Sequence, residues 1–270
     1  MAVAPDAHQG LDVNTPNMAR VYDYWLGGKD NFAADREIAE KIIEISSAGN
    51  GPTVVDDMRA NRAFLGRAVL TAAEAGIRQF LDLGSGLPTQ DNVHDIALSV
   101  TPRARVVYVD YDPVVCSHGR ALLCPSAGVR FIEADIRRPA QILTHPDVLA
   151  AFDFTQPIAL LLCAVLHQVA DDDDPAGILA ALAGPMAPGS HLVLSHLSTD
   201  IRPTDIAKGT EISKITSAPM TPRPVARILR FFDGFELLQP GLVSTPAWRP
   251  NRPIGDVSRY PTLGGVGVKR

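Results

Sequence analysis

The stretch FLDLGSGLPT, residues 80–89, carries an apolar run with one acid into Gly84-Ser85-Gly86 and then meets Pro88. That is the pattern of a strand turning sharply into a helix. At the first strand-to-helix turn of an open α/β sheet, glycines let the backbone approach a ligand while the helix N-terminus presents free amide groups. A lone GxG also occurs in tight turns that hold nothing, so its neighbours must decide. Working outward from RQFLDLG (78–84), further runs have strand character: ARVVYVD (104–110), VRFIEAD (129–135), PIALLLCAVL (157–166), SHLVLSHL (190–197), FELLQPGLV (235–243) and LGGVGVKR (263–270). Most are separated by helix-length segments. Runs apolar on both faces and spaced in this way predict a parallel sheet covered on both sides, a doubly wound α/β fold. The last two runs are joined by a proline-rich stretch without helix signals, which predicts an antiparallel pair at one end of the sheet.

The ends of the next two strands each supply an acid. Asp110 closes VVYVD, and a carboxylate at that place can accept hydrogen bonds from both hydroxyls of a ribose. Asp112, just before Pro113, suits the N-cap of the following helix. Asp135 closes FIEAD and is followed by apolar Ile136; the carboxylate can accept an adenine amino group while Ile136 packs on the ring, or it can simply cap a helix. Asp110 and Asp135 gain meaning as successive members of a series that begins with the glycine turn.

Upstream of the sheet the signals are helical. Asn14-Thr15-Pro16 supplies a cap and a first-turn proline, and Met18 to Leu26 suits a short helix stopped by Gly27-Gly28. A second helix is expected from about Ala33 to Ser46, with Ile38, Ile42, Ile43 and Ile45 on its apolar face, and a third from about Val55 to Ala75. Within this region YDYWLGGKDN (22–31) is unusually rich in aromatic residues and glycine for a stretch so near the N-terminus.

Composition narrows the class. The 270 residues are 46% hydrophobic, enough for one large core with additions. A net charge of −5 leaves no electrostatic footprint for a nucleic-acid backbone or an anionic membrane, so neither is expected as a partner. Cys116, Cys124 and Cys163 form no CxxC pair and have no histidine at zinc-ligand spacing, which argues against a disulfide framework or a metal and for a cytoplasmic chain. The apolar run Ile158 to Leu166 is less than half a membrane span, and residues 1–15 lack the basic start and apolar stretch of an export signal. The only charge run, DDDD at 171–174, reads as a solvated helix start.

A glycine turn after strand one, an acid after strand two and an acid after strand three together resemble the S-adenosylmethionine-dependent methyltransferases with a Rossmann-like sheet. A dinucleotide dehydrogenase shares the first two elements but shows GxGxxG, whereas Leu87, Pro88 and Thr89 follow Gly86 here. The chain also departs from the commoner methyltransferase GxGxG, since Pro88 stands at the third glycine; a proline fits a first helical turn, so the departure touches helix entry rather than the site. NTPNMARVYDYWLGGKDNFAADR (14–36), NRAFLGRAV (61–69), FLDLGSGLPTQDNVHDIA (80–97) and VYVDYDPVV (107–115) are similar to a bacterial family of such enzymes whose acceptors are largely unidentified, marked by an N-terminal YDYxLGGKDN element. The similarity spans nearly the whole chain.

The resemblance implies a seven-stranded, mostly parallel sheet with an antiparallel C-terminal strand, and S-adenosyl-L-methionine as cofactor. It implies cofactor positions at Asp82, Gly84, Ser85, Gly86, Asp110, Tyr111, Asp135 and Ile136. Residues 1–13 are then a flexible start, 14–54 a helical cap closing a site otherwise open to water, and 55–270 the Rossmann-like domain, with 199–224 as a candidate acceptor-side insertion. On the cap, Arg20 and Tyr24 are expected to line the site and Trp25 to pack inward. In AVLHQV (164–169), His167 would face the methyl-transfer pocket as a base for a hydroxyl acceptor, or would merely anchor the turn. The expected function is methyl transfer to a small molecule; a non-catalytic S-adenosylmethionine sensor and a nicotinamide-dependent oxidoreductase are the alternatives.

Overall fold

In the computed structural model, which describes residues 12–88, 92–124, 126 and 128–270, the strand runs join one sheet. Its strands are β1 (Gln79–Leu83), β2 (Arg105–Asp110), β3 (Val129–Glu133), β4 (Ala159–Cys163), β5 (His191–Leu197), β6 (Phe235–Leu237), β7 (Val243–Ser244) and β8 (Thr262–Lys269). They lie in the order β3-β2-β1-β4-β5-β8-β6, with the two-residue β7 pairing on β8. Strands β1 to β5 are parallel, and β8 is inserted antiparallel between β5 and β6. The run FELLQPGLV divides into β6 and β7 because the chain turns at Gly241, whose φ is +91° and whose N–H donates to the Leu238 carbonyl at 2.8 Å.

Alternation along the strands explains the burial of both faces. Leu81, Val107, Leu160 and Leu192 enter one core, while Phe80, Val106, Leu161 and Val193 enter the other. The helices are α1 (Met18–Leu26), α2 (Ala33–Ser47), α3 (Val54–Glu74), α4 (Val93–Val100), α5 (Pro113–Leu122), α6 (Pro139–Leu143), α7 (Pro146–Ala151), α8 (Pro175–Ala183), α9 (Pro203–Ser213) and α10 (Val225–Arg230). The acidic run begins a helix as expected: Asp174 caps α8, its Oδ1 accepting the Gly177 N–H at 2.9 Å. From β1 the chain winds outward through β2 to β3, then crosses back to β4. The order therefore reverses between β1 and β4, and a crevice forms at their carboxyl ends, where open α/β sheets hold ligands.

Helices α1 and α2 and the start of α3 share a third, smaller core of Met18, Val21, Trp25, Ile38, Ala39, Ile42 and Met58. Trp25 packs inward and donates from Nε1 to the Ala39 carbonyl at 3.3 Å. The expected division at 54/55 coincides with the first residue of α3, a helix whose Met58 joins the cover core and whose Phe64, Leu65 and Ala68 join the sheet core.

The GGKDN turn is wired from within. Gly27 closes α1 at φ +86°, its N–H donating to the Tyr24 carbonyl at 2.9 Å, as left-handed helix caps do. Asp23 Oδ2 accepts the Asp30 N–H and Asn31 Nδ2, at 3.0 and 2.9 Å. A Cβ on Gly28 would stand 1.9 Å from Asp23 Oδ1, so any side chain there would dislodge the carboxylate that holds the turn. Of the expected flexible start, residues 1–11 lie outside the described residues, as do residues 89–91 beyond the glycine turn. Among the described residues no helix is long and apolar enough to cross a membrane.

Candidate functional site

A cavity of about 350 Å³ opens at the carboxyl ends of the first four strands. That is within the range of small-molecule sites. Its floor is the glycine turn. The N–H groups of Gly84 and Ser85 both donate to the Val109 carbonyl, at 2.8 and 3.1 Å, which ties the turn to the end of β2. Gly84 has φ +63°, and a Cβ there would lie 2.5 Å from Val165 Cγ2; this glycine is required by conformation and by close packing. Gly86 has φ +66°, but a Cβ there would meet no atom within 4 Å. Space therefore remains directly in front of Gly86. Beside it, the Ser85 hydroxyl is buried without a hydrogen-bond partner, although a buried hydroxyl normally has one.

Three acids stand on this floor in different electrical states. Asp110 Oδ1 accepts the N–H groups of Tyr111 (2.8 Å) and Asp112 (3.0 Å), and Oδ2 accepts that of Gly86 (3.0 Å). Burial outweighs these bonds and pushes its carboxyl up to about 6. Asp82, buried near the end of β1, is pushed up to about 7 by burial, with the charge of Arg62 acting against the rise. Asp135 differs: burial raises it, but Arg137 holds it below the usual range through Nη2–Oδ2 at 2.6 Å and Nε–Oδ1 at 3.0 Å. Asp112 caps α5, its Oδ1 accepting Val114 N–H at 2.8 Å. Tyr111 and Ile136 complete this wall of the cavity.

The cover supplies the facing wall, with side chains other than those expected. Met18, Ala19, Tyr22, Asp23 and Leu26 line the cavity from α1. Arg20 does not reach it. Its guanidinium is buried between Asp35 (Nε–Oδ2 3.1 Å), the Thr15 carbonyl (2.7 Å) and Asp112 (3.9 Å), 5.2 Å over the Phe32 ring. It ties α1 to the start of α2 and to the loop after β2. Tyr24 points away as well, its hydroxyl donating to Glu40 on α2. Besides Arg137, the arginine on the cavity is Arg62 of α3, whose charge acts on Asp82. Its stretch NRAFLGRAV places polar Asn61 and Arg62 one turn before apolar Leu65 on the same helical face. That periodicity was the signal available in the sequence.

A second, smaller cavity of about 90 Å³ lies behind the first, between the cover, α9 and the end of β4. His167 lines this one and not the larger. It sits buried in the single turn Leu166–Gln168, where Nδ1 accepts the Leu197 N–H at 3.2 Å and its ring meets that of His196 edge to face at 5.3 Å. Burial and then the charge of Arg223 push its pKa down to about 3, so it is neutral near pH 7 and weakly basic. His167 thus faces the smaller cavity rather than the larger, and its Nδ1 anchors the end of β5 through the Leu197 N–H. Parts of the segment 199–224 line the two cavities. Ser217, Ala218, Pro219 and Thr221 line the larger cavity, and Ser217 is tied to the cover by its N–H to the Pro16 carbonyl (2.9 Å) and by Asn17 Nδ2 to its Oγ (3.0 Å).

The site is therefore a slot at the topological switch point, with a glycine floor, acids at successive strand ends and a helical roof. The sequence matches the family described as S-adenosyl methyltransferase over residues 4–270. A protein of Thermobifida fusca with a provisional methyltransferase assignment is 41% identical, with 100% of both chains covered and a TM-score of 0.90. A DUF574-family protein of Streptomyces avermitilis is 38% identical over 96% of this chain and 99% of its own, also at a TM-score of 0.90. The N-methyltransferase NodS of Bradyrhizobium japonicum, solved with S-adenosyl-L-homocysteine, shares the fold at 13% identity, a TM-score of 0.50, and coverage of 86% of this chain and 98% of its own. No curated protein matches. The chain belongs to the S-adenosyl methyltransferase family, and is an enzyme whose cofactor is S-adenosyl-L-methionine.

Proposed function

We propose that the 350 Å³ cavity holds the cofactor and that the enzyme methylates a small molecule. The observation that carries this reading is the pairing of the partnerless Ser85 hydroxyl with the open space before Gly86, both beside Asp110. A carboxylate has about four lone-pair positions, and three on Asp110 are taken by backbone N–H groups. One remains, on Oδ2. Asp110 then accepts one ribose hydroxyl rather than two, and Ser85 supplies a further polar contact. Asp135 and Ile136 take the adenine edge and face, while Arg62 and Asp82 stand toward the methionine end.

The bound cofactor supplies an activated methyl group on a sulfonium, transferred by in-line displacement. The protein's share is to hold the acceptor's nucleophile on that line and to keep water away, a contribution that can account for much of the barrier reduction. The ties of Ser217 to Pro16 and Asn17 join the roof segments, while Arg20 holds the cover together through Asp35 and reaches the loop after β2 through Asp112. With the Nδ1 lone pair of His167 taken by the Leu197 N–H and its basicity lowered by burial, no base is assigned, and positioning is the main contribution.

Calorimetric titration with S-adenosyl-L-homocysteine tests the assignment. Asp110→Asn should weaken binding by about 10- to 100-fold, the range for a lost hydrogen bond to a charged group. Unchanged affinity, or thermal stabilisation by NADH in place of S-adenosyl-L-homocysteine, would overturn the reading.

A further inference from the structure

We propose that the smaller cavity is the acceptor chamber, and that it takes the apolar end of a compact, non-anionic molecule carrying a hydrogen-bond donor. This rests on the assignment of the larger cavity to the cofactor. The two cavities share a wall of Met18, Tyr22, Ala164 and Gln168. Direction follows from strand order. The acids that face a nucleoside lie at the ends of β2 and β3, on one side of β1, and Ala164 follows β4, on the other. Strands are spaced about 4.8 Å apart, so a nucleoside laid across β2 and β3 sends its remaining atoms toward β1 and β4. The reactive end then arrives at the shared wall.

That wall is held in place. Ala164 has φ +59°, a left-handed conformation that costs a non-glycine residue roughly 1–2 kcal/mol. Its N–H donates to Ser195 Oγ (3.0 Å), Ser195 Oγ donates to Asn61 Oδ1 (2.6 Å), Asn61 Nδ2 donates to the Tyr22 hydroxyl (3.1 Å), and that hydroxyl donates to the Met58 carbonyl (3.1 Å). An unbroken chain of hydrogen bonds thus runs from the end of β4 to the cover, across the junction of the cavities. Strain maintained by such a network is characteristic of functional positions.

The lining states the chemistry. Met18, Trp25, Ile42, Met58, Ile206 and Met220 are apolar, and methionine walls adapt to irregular shapes. Arg202 is spent on Asp205, the Ser46 carbonyl and the Pro52 carbonyl, so it does not attract an anion. Among the described lining residues, one buried side-chain oxygen has no partner: Asp57 Oδ1, whose companion Oδ2 accepts from Thr262 Oγ1 at 2.6 Å. A donor on the acceptor would satisfy it, whereas above about pH 7, the value to which burial pushes the Asp57 carboxyl, an anion would face a carboxylate in apolar surroundings. The volume of about 90 Å³ is below the roughly 150 Å³ of a cavity that holds benzene. A branched aliphatic group or the edge of one ring fits, with the remainder at the shared wall.

Gly209 of α9 provides a clean probe. It lines the chamber, and a Cβ there meets no atom within 4 Å. Leucine also favours a helix over glycine, so Gly209→Leu should fold and fill the chamber. The full chain saturated with S-adenosyl-L-homocysteine is titrated with 3-methylbutan-1-ol and with 3-methylbutanoate by ligand-observed NMR. The alcohol should bind at least tenfold more tightly than the carboxylate. Gly209→Leu should weaken the alcohol at least tenfold and leave the Kd of S-adenosyl-L-homocysteine within twofold. Equal binding of the two probes, no binding of the alcohol, or alcohol binding unchanged in Gly209→Leu would overturn the chamber alone. Failure of S-adenosyl-L-homocysteine to bind the wild type would overturn the cofactor assignment, and the acceptor role with it.

Discussion

The floor of the larger cavity and its roof are built on different geometries, and they differ in how far sequence reaches them. On the floor, Gly84, Ser85, Gly86, Asp110, Tyr111, Asp135 and Ile136 all stand on the cavity where the strand-end pattern placed them. On the roof, the side chains that face the cavity are Met18, Ala19, Tyr22, Asp23 and Leu26, one stripe along α1. Arg20 and Tyr24 share a face with each other, but it is the opposite one, because two residues along a helix rotate a side chain by about 200°. A polar or aromatic residue on a short helix advertises a role without saying toward which neighbour. An acid at the end of a parallel strand already has its direction fixed by the sheet.

The largest expected effect tests the roof. Asp35 is fully buried and its carboxylate pairs with Arg20. Removing one member of a buried pair leaves an uncompensated charge and costs about 3–5 kcal/mol. Arg20→Ala should therefore lower the melting temperature by roughly 6–20 °C, taking about 2–4 °C per kcal/mol, while the folded protein keeps its affinity for S-adenosyl-L-homocysteine within about threefold. Calorimetry and titration on one sample separate the two. Lost affinity at unchanged stability would return Arg20 to the site and erase the contrast.

The floor is tested by pH. Asp110 accepts a hydroxyl best when ionised, and burial holds its carboxyl at about 6 before ligand arrives. Below that value binding must release a proton, so affinity for S-adenosyl-L-homocysteine should fall as pH drops from 7 to 5, by at most tenfold per unit. Asp110→Asn should flatten the profile. Affinity is a better readout than stability here, because the buried groups oppose one another. The native carboxyls of Asp82 and Asp110, raised to about 7 and about 6, keep protons that the unfolded chain loses above about 4, so they favour folding as pH falls. His167, lowered to about 3, and His196, well below its usual value, stay neutral when unfolded histidines charge below about 6.5, so they disfavour folding over much of the same window.

The smallest effect distinguishes the two tyrosines. Tyr22→Phe removes the acceptor of Asn61 Nδ2 and the donor to the Met58 carbonyl, and should cost about 1–2 kcal/mol of unfolding free energy in denaturant titration. Tyr24→Phe loses only a bond to Glu40 at the protein surface and should stay within about 0.5 kcal/mol. Equal losses would mean that the direction of α1 does not separate the two positions.

The sequence by itself determined the sheet, its antiparallel C-terminal insertion and the floor of the site. Strand side chains alternate with a fixed period of two, and glycine with an acid at a strand end leaves few other geometries. It also marked YDYWLGGKDN as special, and five of its residues have a physical role: Tyr22 on the cavity, Asp23 holding the turn, Trp25 in the core, Gly27 capping α1, and Gly28 leaving room for Asp23. Only the tertiary structure decided which face of α1 meets the cavity, that Arg62 rather than Arg20 stands there, and that Asp57, Gly209 and Ala164 meet around a second chamber. These residues are up to about 150 positions apart and lie mostly on helices. How a helix is rotated about its axis is set by everything packed against it, and no local pattern in the chain encodes that.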